Sequence, residues 1–126
     1  MGFDLTFFGA TGEVTGSLYV IQAGSHTVLL ECGLLQGGKE NEERNGDPFP
    51  MPLDTIDAVV LSHAHIDHSG RVPLLVKRGY SGPVYVQNAT KALCEIMWPD
   101  SGYLNEKEAE WKNRKRKRKG KSLVKP

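Results

Sequence analysis

Cysteine is scarce in this chain. Its 126 residues include two, Cys32 and Cys94, with no CxxC spacing. That excludes a disulfide framework and makes a reducing, cytoplasmic setting the expectation, with both thiols reading as half-buried packing groups. Long apolar runs are missing as well. None approaches the roughly 18 residues of a membrane span, so no membrane association is expected. Met1-Gly2-Phe3-Asp4 has neither a basic region nor an apolar stretch behind it, so a signal peptide is not expected. Gly2 with Thr6 loosely fits a myristoylation pattern, but Phe3 and Asp4 read as the start of a strand. The glycine-rich segment at 9–17 contains no Gly-Lys-Ser/Thr and no GxGxxG, which argues against a nucleotide fingerprint. Acidic residues are absent from 112–126, and no internal repeat is present.

The composition is that of one modest globular domain, 39% hydrophobic and 25% charged. Its net charge of +1 conceals a division. Residues 1–111 hold 7 basic and 15 acidic side chains, net −8, whereas 112–126 hold 9 basic side chains and no acid. We therefore separate a folded portion, 1–111, from a basic helix end and tail, 112–126.

Alternation and turn signals predict strands over Phe3–Phe8, Leu18–Ala23 and His26–Cys32, the last two joined by the hairpin signal Gly24-Ser25. Residues 33–55 read as a long polar connection. A strand follows over Ile56–Ser62. The unbroken apolar runs Val28-Leu29-Leu30 and Val59-Val60-Leu61 suit strands buried on both faces. Ser69-Gly70 is expected to open a helix through Val72, Leu75 and Val76, with Pro73 in its first turn and Gly79 ending it. Pro83–Gln87 reads as a short strand. A helix over Ala89–Trp98 is expected to bury Leu93, Ile96 and Met97 and to stop at Pro99. Asn105 would cap a last helix in a capping box with Glu108, supported by Glu108–Lys112 and Glu110–Arg114 pairs. The order is that of a mixed α/β fold.

The most telling segment is His63-Ala64-His65-Ile66-Asp67-His68, directly after the apolar run Ala58–Leu61. Neutral imidazoles bind zinc and related metals, and a carboxylate adds charge and a bridging oxygen. Four such groups on one short loop point to metal-assisted hydrolysis. His26 lies by the hairpin turn and reads as a plain exposed residue. Trp98 and Trp111 read as packing residues. The basic run Arg114-Lys115-Arg116-Lys117-Arg118-Lys119 fits either RNA phosphate contacts or a solvated helix face with a frayed end.

The loop resembles the HxHxDH signature of the metallo-β-lactamase fold. Three further blocks narrow the resemblance to its β-CASP branch, which cuts RNA. They are Gly9-Ala10-Thr11-Gly12-Glu13-Val14-Thr15-Gly16-Ser17, Leu29–Gly37, and Cys94-Glu95-Ile96-Met97 with Asp100-Ser101 and Glu106–Trp111, beside the block Leu61–Gly70 that holds the signature itself. The resemblance implies the N-terminal half of an αββα sandwich, a mixed β-sheet with flanking helices. It implies two zinc ions per complete site, the first held by His63 and His65 and the second by Asp67 and His68. Asp67 would also orient the attacking water. Glu31 stands where the family usually has an aspartate that supports the metal loop from behind, a difference of one methylene. The family takes a further histidine for the first metal, and an aspartate and a histidine for the second, from later in its chain. No histidine follows His68. The chain is therefore expected to be incomplete by itself, inactive alone, and prone to self-association or dimer formation through an apolar sheet face. The alternatives are a non-catalytic remnant or RNA-binding module, and a hydrolase of the same fold acting on thioesters or lactones.

Overall fold

The computed structural model describes residues 2–125. Five strands form one mixed sheet in the order β1-β2-β3-β4-β5: β1 Asp4–Gly9, β2 Leu18–Ala23, β3 His26–Leu30, β4 Ala58–Val60 and β5 Val84–Tyr85. The first three strands run antiparallel, and β4 and β5 join parallel to β3. Gly24, with φ +60°, makes the β2–β3 turn that the sequence announced.

Strand register separates two faces. Val20, Leu29, Val59 and Val84 lie side by side on one face. With Leu18, Cys32, Ile56, Leu61, Val72, Leu75 and Tyr80 they build the core, and Phe49, Met51, Leu53 and Trp98 close over it. The opposite face carries Leu5 beside Ile21, Val28 and Ala58, and Phe7 beside Tyr19, Leu30, Val60 and Tyr85. Leu29 and Val59 are fully buried, but Leu30 and Val60 are only half-buried and Tyr85 is 59% exposed. The expectation of burial on both faces is therefore met on one face only among the described residues.

The connection at 33–55 has structure of its own. It forms α1, Lys39–Arg44, and a 3-10 turn at Leu53–Thr55. Asn45 closes the loop before α1 by two reciprocal bonds, accepting from Leu35 N at 2.7 Å and donating to Leu35 O at 2.8 Å. The helix expected from Ser69-Gly70 is two pieces. A single turn, α2, covers Ile66–Ser69 inside the histidine motif, and α3, Val72–Lys77, follows after Gly70-Arg71 with Pro73 in its first turn.

The largest correction concerns the C-terminal helices. A single helix, α4, runs from Asn88 to Arg118 with Pro99 inside it. Proline removes one backbone bond and crowds the preceding turn, at a cost of about 3 kcal/mol, but it does not oblige the chain to leave the helix. Both flanks hold the helix. Gln87 caps its start by accepting from Ala89 N and Thr90 N, and the far half carries Lys107–Glu110 and Glu108–Lys112 pairs. Asn105 is thus a mid-helix residue, and the Asn105/Glu108 capping box does not form. Glu110 pairs with Lys107 at 3.0 Å, and Arg114 is not its partner. Thr90 and Cys94 are buried and Trp98 and Met97 half-buried, whereas Leu93 and Ile96 are exposed. The helix passes through the 111/112 boundary without a break, so the division there is one of charge.

Candidate metal centre

The histidine loop leaves the sheet where β4 ends and is held from behind by the segment that follows β3. Ser17 N donates to Asp67 O at 3.0 Å, Cys32 N to His68 O at 2.9 Å and Leu34 N to Ile66 O at 2.9 Å. Gly33 sits so close that a Cβ there would stand 1.7 Å from Asp67 O. Arg71 is 9% exposed and donates from Nε to Gly33 O at 2.5 Å. Its burial pushes its pKa down. Cys32 is buried beside it, and loss of solvation pushes that thiol up to about 12, which keeps it protonated and inert. From the far side, Trp98 Nε1 donates to Ser69 Oγ at 3.3 Å, and Ser69 Oγ donates to Ala64 O at 2.9 Å. This ties α4 to the loop.

The three imidazoles meet. The ring centres of His63 and His65 are 4.8 Å apart, and those of His63 and His68 are 4.1 Å apart. His65 is the N-cap residue of α2 and makes no capping bond with its side chain. His68 Nε2 lies 3.3 Å from Asp67 Oδ2, and His68 Nδ1 faces Glu31 Oε2. The four residues expected as ligands are thus linked neighbour to neighbour, His65 to His63, His63 to His68 and His68 to Asp67.

Glu31 lies 3% exposed behind them. Its φ of 66° puts a non-glycine residue in the left-handed region as the chain leaves β3, a conformation costing about 1–2 kcal/mol. Surrounding bonds hold it there. Glu31 N donates to Val60 O at 2.9 Å, and the carboxylate accepts from Ser62 N at 2.6 Å and from Ser62 Oγ at 2.8 Å. Among the described residues one trio, Glu31, His63 and His68, brings potential ligand atoms within 4.8 Å of one another. Glu31 is nevertheless better read as an orienting acceptor, because Ser62 and His68 already occupy both its oxygens.

The donor set fits a metal. His68 Nε2 and Asp67 Oδ2 both present lone pairs, and their 3.3 Å separation is close to the edge of a tetrahedron with metal–ligand bonds of about 2.0–2.1 Å. Sequence reasoning missed Ser62, Ser69, Gly33 and Arg71. Gly33, Ser62 and Ser69 stood in blocks already singled out, Leu29–Gly37 and Leu61–Gly70, without a role of their own, and Arg71 stood in none.

Comparison with known proteins decides the family. The model of the metallo-beta-lactamase superfamily matches residues 11–119. The chain belongs to that superfamily. It is 50% identical over 94 residues to Ribonuclease TTHA0252 from Thermus thermophilus, covering 75% of this chain and 21% of that protein. It is 39% identical over 97 residues to Transcription termination factor FttA from Methanosarcina mazei, covering 76% and 15%. Integrator complex subunit 11 from Danio rerio is 32% identical over 103 residues, covering 76% and 17%. These relatives agree with the β-CASP branch indicated by the flanking blocks. The chain spans about a fifth or less of their length. Among solved structures, the metallo-beta-lactamase fold protein YhfI from Bacillus subtilis gives a TM-score of 0.46 at 24% identity, covering 68% of this chain and 37% of that one. Superfamily membership implies a metal-binding chain.

The other expected site residues lie elsewhere. Arg114 to Arg118 occupy the last turns of α4, and Lys119 is its C-cap. The tail folds back on them: Asn113 Nδ2 donates to Val124 O at 2.8 Å, and Arg116 Nε donates to Ser122 O. Trp111 is half-exposed, with Lys115 Nζ 3.9 Å from its ring centre. His26 is exposed, as expected, and lies 3.5 Å from Asp57. Among the described residues no helix is long and apolar enough to cross a membrane.

Proposed function

We propose that this chain contributes the histidine loop of a zinc-dependent ribonuclease of the β-CASP kind. The observation that carries the reading is the convergence of His63, His65, Asp67 and His68 on one loop braced by Glu31. The ribonuclease relative at 50% identity supports RNA as the substrate class. His63 and His65 would hold one zinc, and Asp67 and His68 a second. Two such ions would neutralise charge on a phosphodiester and make water acidic enough to attack near neutral pH. Asp67 would accept a hydrogen bond from that water and orient it. Glu31 keeps the rings aligned, and the bonds from Ser17, Cys32 and Leu34 keep the loop from shifting. The exposed cations Arg114, Lys115, Lys117, Arg118 and Lys119 would hold RNA phosphates, while Arg116 is partly engaged by the tail.

A second reading, RNA binding without cleavage, is favoured by the 9 basic side chains at 112–126. The test uses the protein isolated from its own cells, with labelled RNA and a chromogenic thioester or lactone assayed in parallel. Zinc-dependent RNA cleavage lost in Asp67→Ala is the expected result. Ester turnover without RNA cleavage would assign it to another activity of the superfamily. Salt-sensitive RNA binding with neither reaction would establish the second reading.

A further inference from the structure

Ser62 directly precedes the histidine motif, and its hydroxyl lies between two of the site's groups. Its Oγ is 2.8 Å from Glu31 Oε2 and 2.7 Å from His63 Nδ1. A serine hydroxyl has one hydrogen to give and lone pairs to receive with. Glu31 Oε2 also faces His68 Nδ1, and Glu31 Oε1 accepts from Ser62 N. Ser62 Oγ donates its one hydrogen to Glu31 Oε2. His63 Nδ1 must then be the donor to Ser62 Oγ.

We propose that Ser62 is a positioning residue that fixes His63 with its hydrogen on Nδ1, leaving the Nε2 lone pair free for a metal. The same carboxylate acts on both histidines, directly on His68 and through one hydroxyl on His63. A ligating imidazole needs a free lone pair, and the bond made by its other nitrogen decides which one is free. Without the hydroxyl, His63 Nδ1 loses the hydrogen bond that the structure gives it, and neutral imidazole side chains in water prefer the hydrogen on Nε2. That tautomer would have to be undone before the ring could bind through Nε2. Ser62 is exposed, so alanine can replace it without repacking the core. Glu31 loses the Ser62 Oγ bond in that variant but keeps those to Ser62 N and His68.

The proposal rests on the reading of His63 as a ligand, and the test separates the two. Ring nitrogen shifts are measured by NMR on the metal-free full chain at about pH 8.5, above the ordinary imidazole range. Zinc affinity is then measured by competition with a chelating dye. The native chain should show His63 protonated on Nδ1, Ser62→Ala should move the hydrogen to Nε2, and Ser62→Thr should restore it. Zinc affinity should fall about 10–100-fold in Ser62→Ala and return in Ser62→Thr. A native His63 protonated on Nε2, or a tautomer indifferent to Ser62→Ala, would overturn the proposal. So would equal loss of zinc affinity in Ser62→Ala and Ser62→Thr. The expected tautomers together with a zinc affinity unchanged in His63→Ala would uphold the relay and refute the ligand reading.

Discussion

Gly33 and Asp67 touch backbone to backbone. A Cβ on Gly33 would lie 1.7 Å from Asp67 O and 2.4 Å from its carbonyl carbon. A main-chain carbonyl cannot swing aside like the end of a long side chain, so any side chain at Gly33 must push the metal loop away. Gly33→Ala is expected to cost about 1–3 kcal/mol or more as overpacking, and to weaken zinc binding as Asp67 and His68 lose their alignment. Thermal unfolding and zinc titration of the variant check both. Unchanged stability and affinity would show that the loop is not seated against Gly33.

This contact also shows where sequence reading stops. The hairpin at Gly24-Ser25, the central apolar strands and the loop that carries His63, His65, Asp67 and His68 after β4 were legible because each rests on local spacing or a local turn. Gly33 against Asp67, Ser62 against Glu31, and Trp98 on Ser69 join residues far apart in the sequence, and no local spacing announces such pairs. Pro99 misled in the opposite direction. Its local signal to stop was clear, but packing at Thr90, Cys94 and Trp98 and ion pairs beyond Tyr103 carry α4 through it. Leu93 and Ile96 misled, while Met97 is half-buried, because the face that meets the core is set by small and polar residues, Thr90 and Cys94, together with Trp98.

The glycine-rich loop at 9–17 is clasped to α1 and to the segment before it. Arg44 donates from Nη1 and Nη2 to the two carboxylate oxygens of Glu13 at 2.7 and 3.0 Å, and Gln36 N donates to Thr15 Oγ1 at 3.0 Å. The hydrogen bond from Arg44 holds the Glu13 carboxyl below its ordinary value of 4.5, against the opposing effect of burial and with added help from the Arg44 charge. A depressed carboxyl contributes stability above its unfolded pKa, and the contribution disappears as pH falls through the folded value. Hydrogen exchange at the Gln36 amide, normalised to its intrinsic rate, should therefore be slow near pH 6 and accelerate below about pH 4. Glu13→Gln should make it fast at both. Equal protection in Glu13→Gln would show that Thr15 holds the loop without the ion pair.

If the end of α4 binds RNA, its cations displace counterions, and affinity must fall with salt. Replacing Arg114, Lys115, Lys117, Arg118 and Lys119 with glutamine keeps good helix formers in place while removing five charges. For single-stranded RNA the slope of log affinity against log salt should fall by up to about 3.5, at about 0.7 per phosphate contact. Zinc content should not change, because these residues lie outside the loop. Filter binding at several salt concentrations measures the slope. An unaltered slope would assign the run to a solvated helix face.

The sheet face opposite the core makes the last expectation physical. Leu5, Phe7 and Tyr85 lie on it at 44%, 57% and 59% exposure, in register with half-buried Tyr19, Ile21, Val28, Leu30 and Val60. Phe7 and Tyr19 pack edge to face at 5.5 Å, so the apolar surface is continuous across β1 and β2. β1 also stands at the sheet edge, where unpaired backbone groups can accept another strand. A contiguous apolar face of this kind drives association when nothing else covers it. The 126-residue chain alone should sediment as dimers and larger species in the micromolar range. Leu5→Lys together with Phe7→Lys should shift it toward monomer, since the two lysines repel their copies across any paired face and both positions are already in contact with solvent. A native chain that stays monomeric throughout that range would show that this surface is not a contact face.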